Sequence, residues 1–171
     1  QVTGGTSGVS ADVVNIVATD GTDPDTIFVK YRNSGTDNAS NVFTDGETLT
    51  STAGTAVVST TAQGAAVKIE AGTYYINGFF VAVDEQTLIL DKYTNTPSYR
   101  VGLVISESFI TSTDDTSLLD NATGSSNANA AGAHRFKIDL TLTKLSLTST
   151  ADASFVELLR INSGTVVNKV T

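Results

Sequence analysis

The chain has 171 residues, enough for one ordinary domain or two small ones that bury about two thirds of their unfolded surface. A formal net charge of −8 and a pI near 4.4 supply no basic surface to displace counterions from a phosphate backbone, which excludes nucleic acid as an expected partner. The absence of cysteine removes disulfides, thiolate nucleophiles and cysteine-based zinc sites, and no apolar run approaches the roughly 20 residues of a bilayer span, so no membrane insertion is expected.

Residues 1–10 are rich in Gly, Ser and Thr and predict a flexible N-terminal arm. An N-terminal β segment follows over 11–62. Its first strand is expected near 13–18. A stronger one spans 26–32, with Ile27, Val29 and Tyr31 on one face and Phe28, Lys30 and Arg32 on the other. The polar run SGTDNAS between Asn33 and Asn41 predicts a loop, and 51–64 predicts a linker or a weak strand around Val57 and Val58.

From residue 63 to 171 the pattern is that of a β-rich domain. Residues 66–70 alternate, Gly72 introduces a run through Ile76, and Asn77-Gly78 leads directly into 79–83. Asn-Gly between two apolar runs signals a tight hairpin, because both central residues of a type I′ turn need positive φ. Asp84 and Glu85 separate this strand from 86–90, which predicts a three-stranded antiparallel meander. A long strand is expected over 99–110, bent near Gly102 or Ser106. A short helix is predicted from Asp115 to Asn121, capped by Thr113 or Asp114. In 135–144 the residues Phe136, Ile138, Leu140 and Leu142 share one face, the signature of a sheet with one wet side. The last strands are 155–161 and a partner after Asn162-Ser163-Gly164, which suits a three-residue loop. The fold class is all-β, with antiparallel sheets in a sandwich-like arrangement, long polar loops and at most one short helix; barrels and intertwined trimers share the same alternation.

The segment LDKYTNTPSYRVGL at 90–103, with SLLDNA at 117–122 and GAHRFKI at 132–138, resembles a domain of unknown function found in virion structural proteins of tailed bacteriophages. The resemblance covers about 25–169 of the chain. It implies a location, the phage tail or baseplate after synthesis in the host cytoplasm, and a role in assembly, with no activity, cofactor or catalytic residue to carry over. The partners it implies are further copies of the chain, trimeric by analogy with tail fibres, and other tail or baseplate proteins. The chain contains no methionine, so Gln1 is expected from processing or from within a longer polypeptide, and the resemblance favours the second.

Candidate chemical sites are few. Asp20, Asp23 and Asp25 form an acidic cluster that suits either calcium or a solvated Pro-containing turn, and the spacing does not match an EF-hand. Asp114, Asp115 and Asp120 form a second cluster, explained most simply by a helix N-terminus that favours negative charge. His134 is the sole histidine, no G-x-S-x-G elbow accompanies it, and no hydrolase is expected; it should open the strand beside Arg135, near a loop or subunit contact. A glycosidase-like carboxylate pair lacks support from aromatic platforms, since aromatic content is 7% and tryptophan is absent. Tyr74, Tyr75, Tyr93 and Tyr99 are expected in the core or an interface.

The loop over 111–133 exceeds the length usual for compact domains and is expected either to clasp an adjacent subunit or to be a mobile surface loop. Its candidate assembly residues are Asp114, Asp115, Asp120, Asn121, Asn127, Asn129 and His134. Two functions follow as expectations: a non-enzymatic virion structural module that mediates subunit assembly, or a receptor- or glycan-binding β-domain of a tail fibre.

Overall fold

The computed structural model describes residues 1–122, 124–150 and 152–170. The chain is all-β, with several antiparallel sheets, no closed barrel and one helical turn among the described residues. It divides into two compact units, Gln1–Ala65 with Asp91–Asn95, and Ala66–Leu90 with Thr96–Thr171.

The first unit is built on β1 (Val2–Gly4), β2 (Ser10–Val17), β3 (Thr26–Asn33), β4 (Thr48–Ser51) and β5 (Gly54–Val57), in the order β3-β2-β1-β4-β5. The N-terminal segment is therefore no free arm: β1 is the central strand, antiparallel to both β2 and β4. Its glycines serve close approach. A Cβ at Gly4 would strike the Glu47 carboxylate, and Gly8 turns the chain at φ +67°. Of the linker or weak strand around Val57 and Val58 expected over 51–64, the strand forms: β5 ends at Val57 and pairs with β4 from Thr48↔Val57 to Ser51↔Gly54.

Val9, Ala11, Phe43 and Leu49 form the buried centre of this unit, with Val2, Val29 and Val58 packed against it. Tyr31 meets Phe43 edge-on at 5.1 Å and its Oη accepts the Phe43 amide at 3.2 Å. Val29 and Tyr31 thus point inward as their alternation predicts. Ile27 is exposed, opposite the exposed Ile16, beyond the bulge that Val14 makes in β2.

The second unit contains β6 (Ala65–Ile69), β7 (Gly72–Ile76), β8 (Phe79–Val83), β9 (Gln86–Asp91), β10 (Tyr99–Ile110), β11 (Arg135–Ser146), β12 (Phe155–Asn162) and β13 (Thr165–Lys169). β7 and β8 form the predicted hairpin, with Asn77 at φ +49° and Gly78 at φ +93°. The three-stranded meander does not form. β9 returns to pair with β6 and leaves β7–β8 as a two-stranded sheet. The cause is local: neither Asp84 nor Glu85 has the positive φ that closes a two-residue hairpin, so the chain leaves β8 extended.

The main sheet has the order β11-β10-β12-β13. β10 and β11 pair without interruption along all 12 residues of each, from Tyr99↔Ser146 to Ile110↔Arg135. On the other side β12 carries one extra residue opposite Val101 and Gly102 of β10, and a Cβ at Gly102 would strike the Val156 carbonyl. The loop joining β12 to β13 has two residues rather than three, since Asn162 pairs with Thr165 and both Ser163 (φ +47°) and Gly164 (φ +77°) are left-handed. Val83, Leu90, Val101, Leu103, Leu140, Leu142, Phe155 and Ile161 are the buried apolar residues of this unit.

The outer edge of β11 is covered by a side chain. Gln86 donates through Nε2 to the Leu140 carbonyl (2.9 Å) and accepts the Leu142 amide at Oε1 (2.8 Å), reproducing a strand's pair of peptide bonds. Lys144 adds a second tie, donating to the Ile89 carbonyl at 3.2 Å and to that of Leu90, with its Nζ 4.8 Å from the Tyr99 ring centroid.

Candidate functional site

The 111–133 loop is internally bonded. Asp114 accepts from the Thr111 amide (2.9 Å) and hydroxyl (2.8 Å), and these bonds lower its pKa. The helix expected from Asp115 to Asn121 contracts to one 3-10 turn, Thr116–Leu118, capped by Asp115, which accepts from the Ser117 amide and pairs with Arg135. Farther on the loop closes as a small antiparallel excursion, with a bridge between Leu119 and Ala131 and backbone bonds from Asp120 to Ala130 and from Asn129 to Asp120. Asp120 Oδ1 accepts the Ala122 amide, and Asn129 takes the left-handed conformation at φ +61°.

The three aspartates therefore hold separate turns rather than one shared site. Asn121, Asn127 and Asn129 are exposed on the loop, and His134 is exposed immediately before β11, where the sequence places it. Asp20, Asp23 and Asp25 diverge in the same way. Asp20 accepts the Thr22 and Asp23 amides, Asp25 accepts the Thr19 amide, and Asp23 pairs with Lys92 at 3.2 Å. No group of three acidic or histidine side chains converges among the described residues.

Two carboxylates, the buried Glu47 and the half-buried Glu157, are held by several hydrogen bonds each. Glu47, 3% exposed, accepts the amides of Thr6 (3.0 Å), Ser7 (2.9 Å) and Thr44 (2.6 Å) and the Ser7 hydroxyl. Burial pushes its carboxyl up, but the Ser7 and Thr44 amides, the Ser7 hydroxyl and the Thr6 amide outweigh that and hold it below the ordinary value. In the second unit Glu157 bonds Arg160 (2.7 and 2.9 Å) and Arg100 (2.6 Å), which lower its pKa to about 2 against the opposing effect of burial. Arg100 also donates to the Ser149 carbonyl and to Asp152, with its guanidinium over the Phe155 ring. Both arrangements tie the carboxylate to its neighbours and favour its charged form.

The surface around the β7–β8 hairpin differs from the rest. Cross-strand partners Tyr75 and Phe80 lie 5.2 Å apart on the hairpin's outer face and are 66% and 81% exposed. At the tip, Phe79, Phe136 and Phe109 form a row at 5.6 and 5.5 Å, and are 52%, 43% and 65% exposed. Beside the tip, Asn77 Nδ2 donates to Glu107 Oε1 at 2.8 Å, and Asn77, Ile105, Glu107, Ala153 and Ser154 line a cavity of about 350 Å³. Tyr75, expected in the core or an interface, is not in the core. Phe79, Phe80 and Phe109 drew no attention in the sequence, although consecutive phenylalanines in a short strand place one aromatic ring on each face.

The chain is similar over residues 25–171 to a family model described as Domain of unknown function (DUF4815). The chain belongs to this family. The matched DUF4815 segment begins just before β3, so β1 and β2 precede it although they form the middle of the first unit's sheet. No curated protein and no solved structure matches the chain.

Proposed function

We propose that this chain is a non-enzymatic structural module of a phage virion, in a tail, baseplate or tail fibre, and that it mediates subunit assembly. The observation that carries the proposal is the concentration of exposed aromatic side chains on and beside one hairpin, because clustered exposed apolar side chains mark interaction surfaces. The resemblance of 90–103, 117–122 and 132–138 to virion structural proteins supports the setting. Its partners are further copies of itself and other tail or baseplate proteins. Antibody labelling of purified particles tests it: label confined to the tail or baseplate is expected, and unlabelled particles from a culture that makes the chain would refute the proposal.

A second reading, a receptor- or glycan-binding domain of a tail fibre, draws on the cavity beside Asn77 and Glu107, where an amide and a carboxylate lie near the exposed ring row. Label at a fibre tip, with loss of host adsorption on Glu107→Gln, would favour that reading over assembly.

A further inference from the structure

We infer that the groove between β3 and β4 is a binding site for a strand pair, and that residues 2–17 of this chain fill it through recognition that does not depend on the covalent link to β3. This surface is separate from the exposed rings and independent of the virion proposal.

The segment matched to the family supplies β3, β4 and β5, but in the order β3-β2-β1-β4-β5 the two strands between β3 and β4 come from ahead of it. Taken alone, that segment would leave β3 without a partner in this sheet and β4 paired on one side only. Such rows of open peptide groups take up an added strand. β2 fills one of them from Ser10↔Asn33 to Val17↔Thr26, and β1 fills the other through Thr3↔Thr50 and Gly4↔Leu49. The apolar side of the groove is equally incomplete. Val9 and Ala11, both fully buried, are half of the unit's buried centre, and Phe43 and Leu49 from the matched segment are the other half.

The groove selects its occupant. Glu47 accepts the Thr6 and Ser7 amides and the Ser7 hydroxyl, and that hydroxyl accepts the Val9 amide at 3.2 Å, so one carboxylate of the matched segment holds the turn that joins the two strands. The Gly5 amide donates to the Thr48 carbonyl at 2.9 Å. The fit is close on both partners: a Cβ at Gly35 would strike the Ser7 carbonyl, and one at Gly4 would strike the Glu47 carboxylate. The link between β2 and β3 is of the opposite kind. Residues 18–22 are exposed, Asp20 and Asp25 bond to amides within the link, and a Cβ at Gly21 would meet nothing within 4 Å. A break at Gly21 therefore leaves these groove contacts in place.

Cleavage of the folded full chain at a protease site inserted at Gly21 tests the proposal, with gel filtration to follow the two pieces and amide hydrogen exchange to follow β3 and β4. The expected result is that the pieces co-elute at micromolar concentration and that both strands stay protected. Gly35→Ala, on the groove, should weaken retention roughly 100-fold because the added Cβ meets backbone, and Ser7→Ala, on the occupant, roughly 10-fold. Circular dichroism of the uncut variants confirms that each folds, and Ser7→Ala decides the matter if Gly35→Ala does not. Pieces that separate on cleavage, pieces that co-elute while β3 and β4 exchange freely, or retention that neither variant weakens would each overturn it. A chain absent from virus particles would defeat the virion proposal and leave these outcomes unchanged.

Discussion

Replacing Glu47 by Gln isolates the interaction on which the first unit depends. The carboxylate's Oε2 takes the Thr6 and Ser7 amides and its Oε1 takes the Thr44 amide, all in a site where Glu47 and Ser7 are almost fully buried. A carboxamide has one acceptor oxygen, so its NH₂ must face at least one of these amides as donor against donor. Each buried amide left unsatisfied costs about 1–3 kcal/mol, and the remaining bonds lose their charge assistance. The substitution should therefore cost about 3 kcal/mol, a large fraction of the roughly 5–15 kcal/mol that stabilises a domain. Urea unfolding followed by circular dichroism gives the free energy, and hydrogen exchange locates the loss, which should fall in β1, β2 and β4 and spare β10–β12. An unfolding free energy within about 0.5 kcal/mol of wild type would refute the argument. The depressed carboxyl also sets a pH dependence. A group with a lowered folded pKa contributes fully above its ordinary value, 4.5 for Glu47, and loses that contribution as pH falls through the folded value; Glu47→Gln should therefore remove part of the acid limb of the first unit's stability.

In the second unit, Glu157 titrates near 2 in the folded chain against an ordinary 4.5, so its contribution, of order 2 kcal/mol, should disappear as pH falls between those values. Glu157→Gln should flatten that dependence in an acid titration of β12 amide exchange, and an unchanged profile would count against the network. Gly102→Ala should destabilise the unit by about 2 kcal/mol by thermal unfolding, because the added Cβ meets the Val156 backbone rather than a movable side chain; a neutral effect would mean that the bulge relaxes freely. Gln86→Ala should cost about 1 kcal/mol and raise the exchange rate of the Leu142 amide, which loses its acceptor; retained protection of that amide would show that another group covers the β11 edge.

The strands were legible wherever alternation was long or the turn chemistry explicit. The 135–144 pattern gave β11, and Asn77-Gly78 gave the β7–β8 turn, because both signals are local. The N-terminal segment was misjudged because Gly-Gly-Thr-Ser-Gly has the composition of a flexible tail, while its actual role is to let the backbone approach Glu47, 40 residues away in sequence from Ser7. The pairing of β9 with β6 was hidden for a similar reason: strand order depends on contacts across the sheet, and short spacing favoured the nearest neighbour. At the candidate site, the sequence pointed to the acidic and Asn-rich loop, where the aspartates turn out to be bonded to their own backbone. The exposed rings at 79, 80 and 109 went unnoticed, and Phe136, on the apolar face of its strand, is exposed too, since an apolar residue in a strand looks the same in sequence whether or not a core covers it.

The central claim is that this domain is a built-in part of a particle. Quantitative mass spectrometry of purified particles, calibrated with isotope-labelled peptides from the chain, tests it most directly. The account predicts a fixed number of copies per particle, constant between preparations and retained through high-salt washing. A chain found only in the host lysate, or carried at a variable level that washing removes, would contradict it.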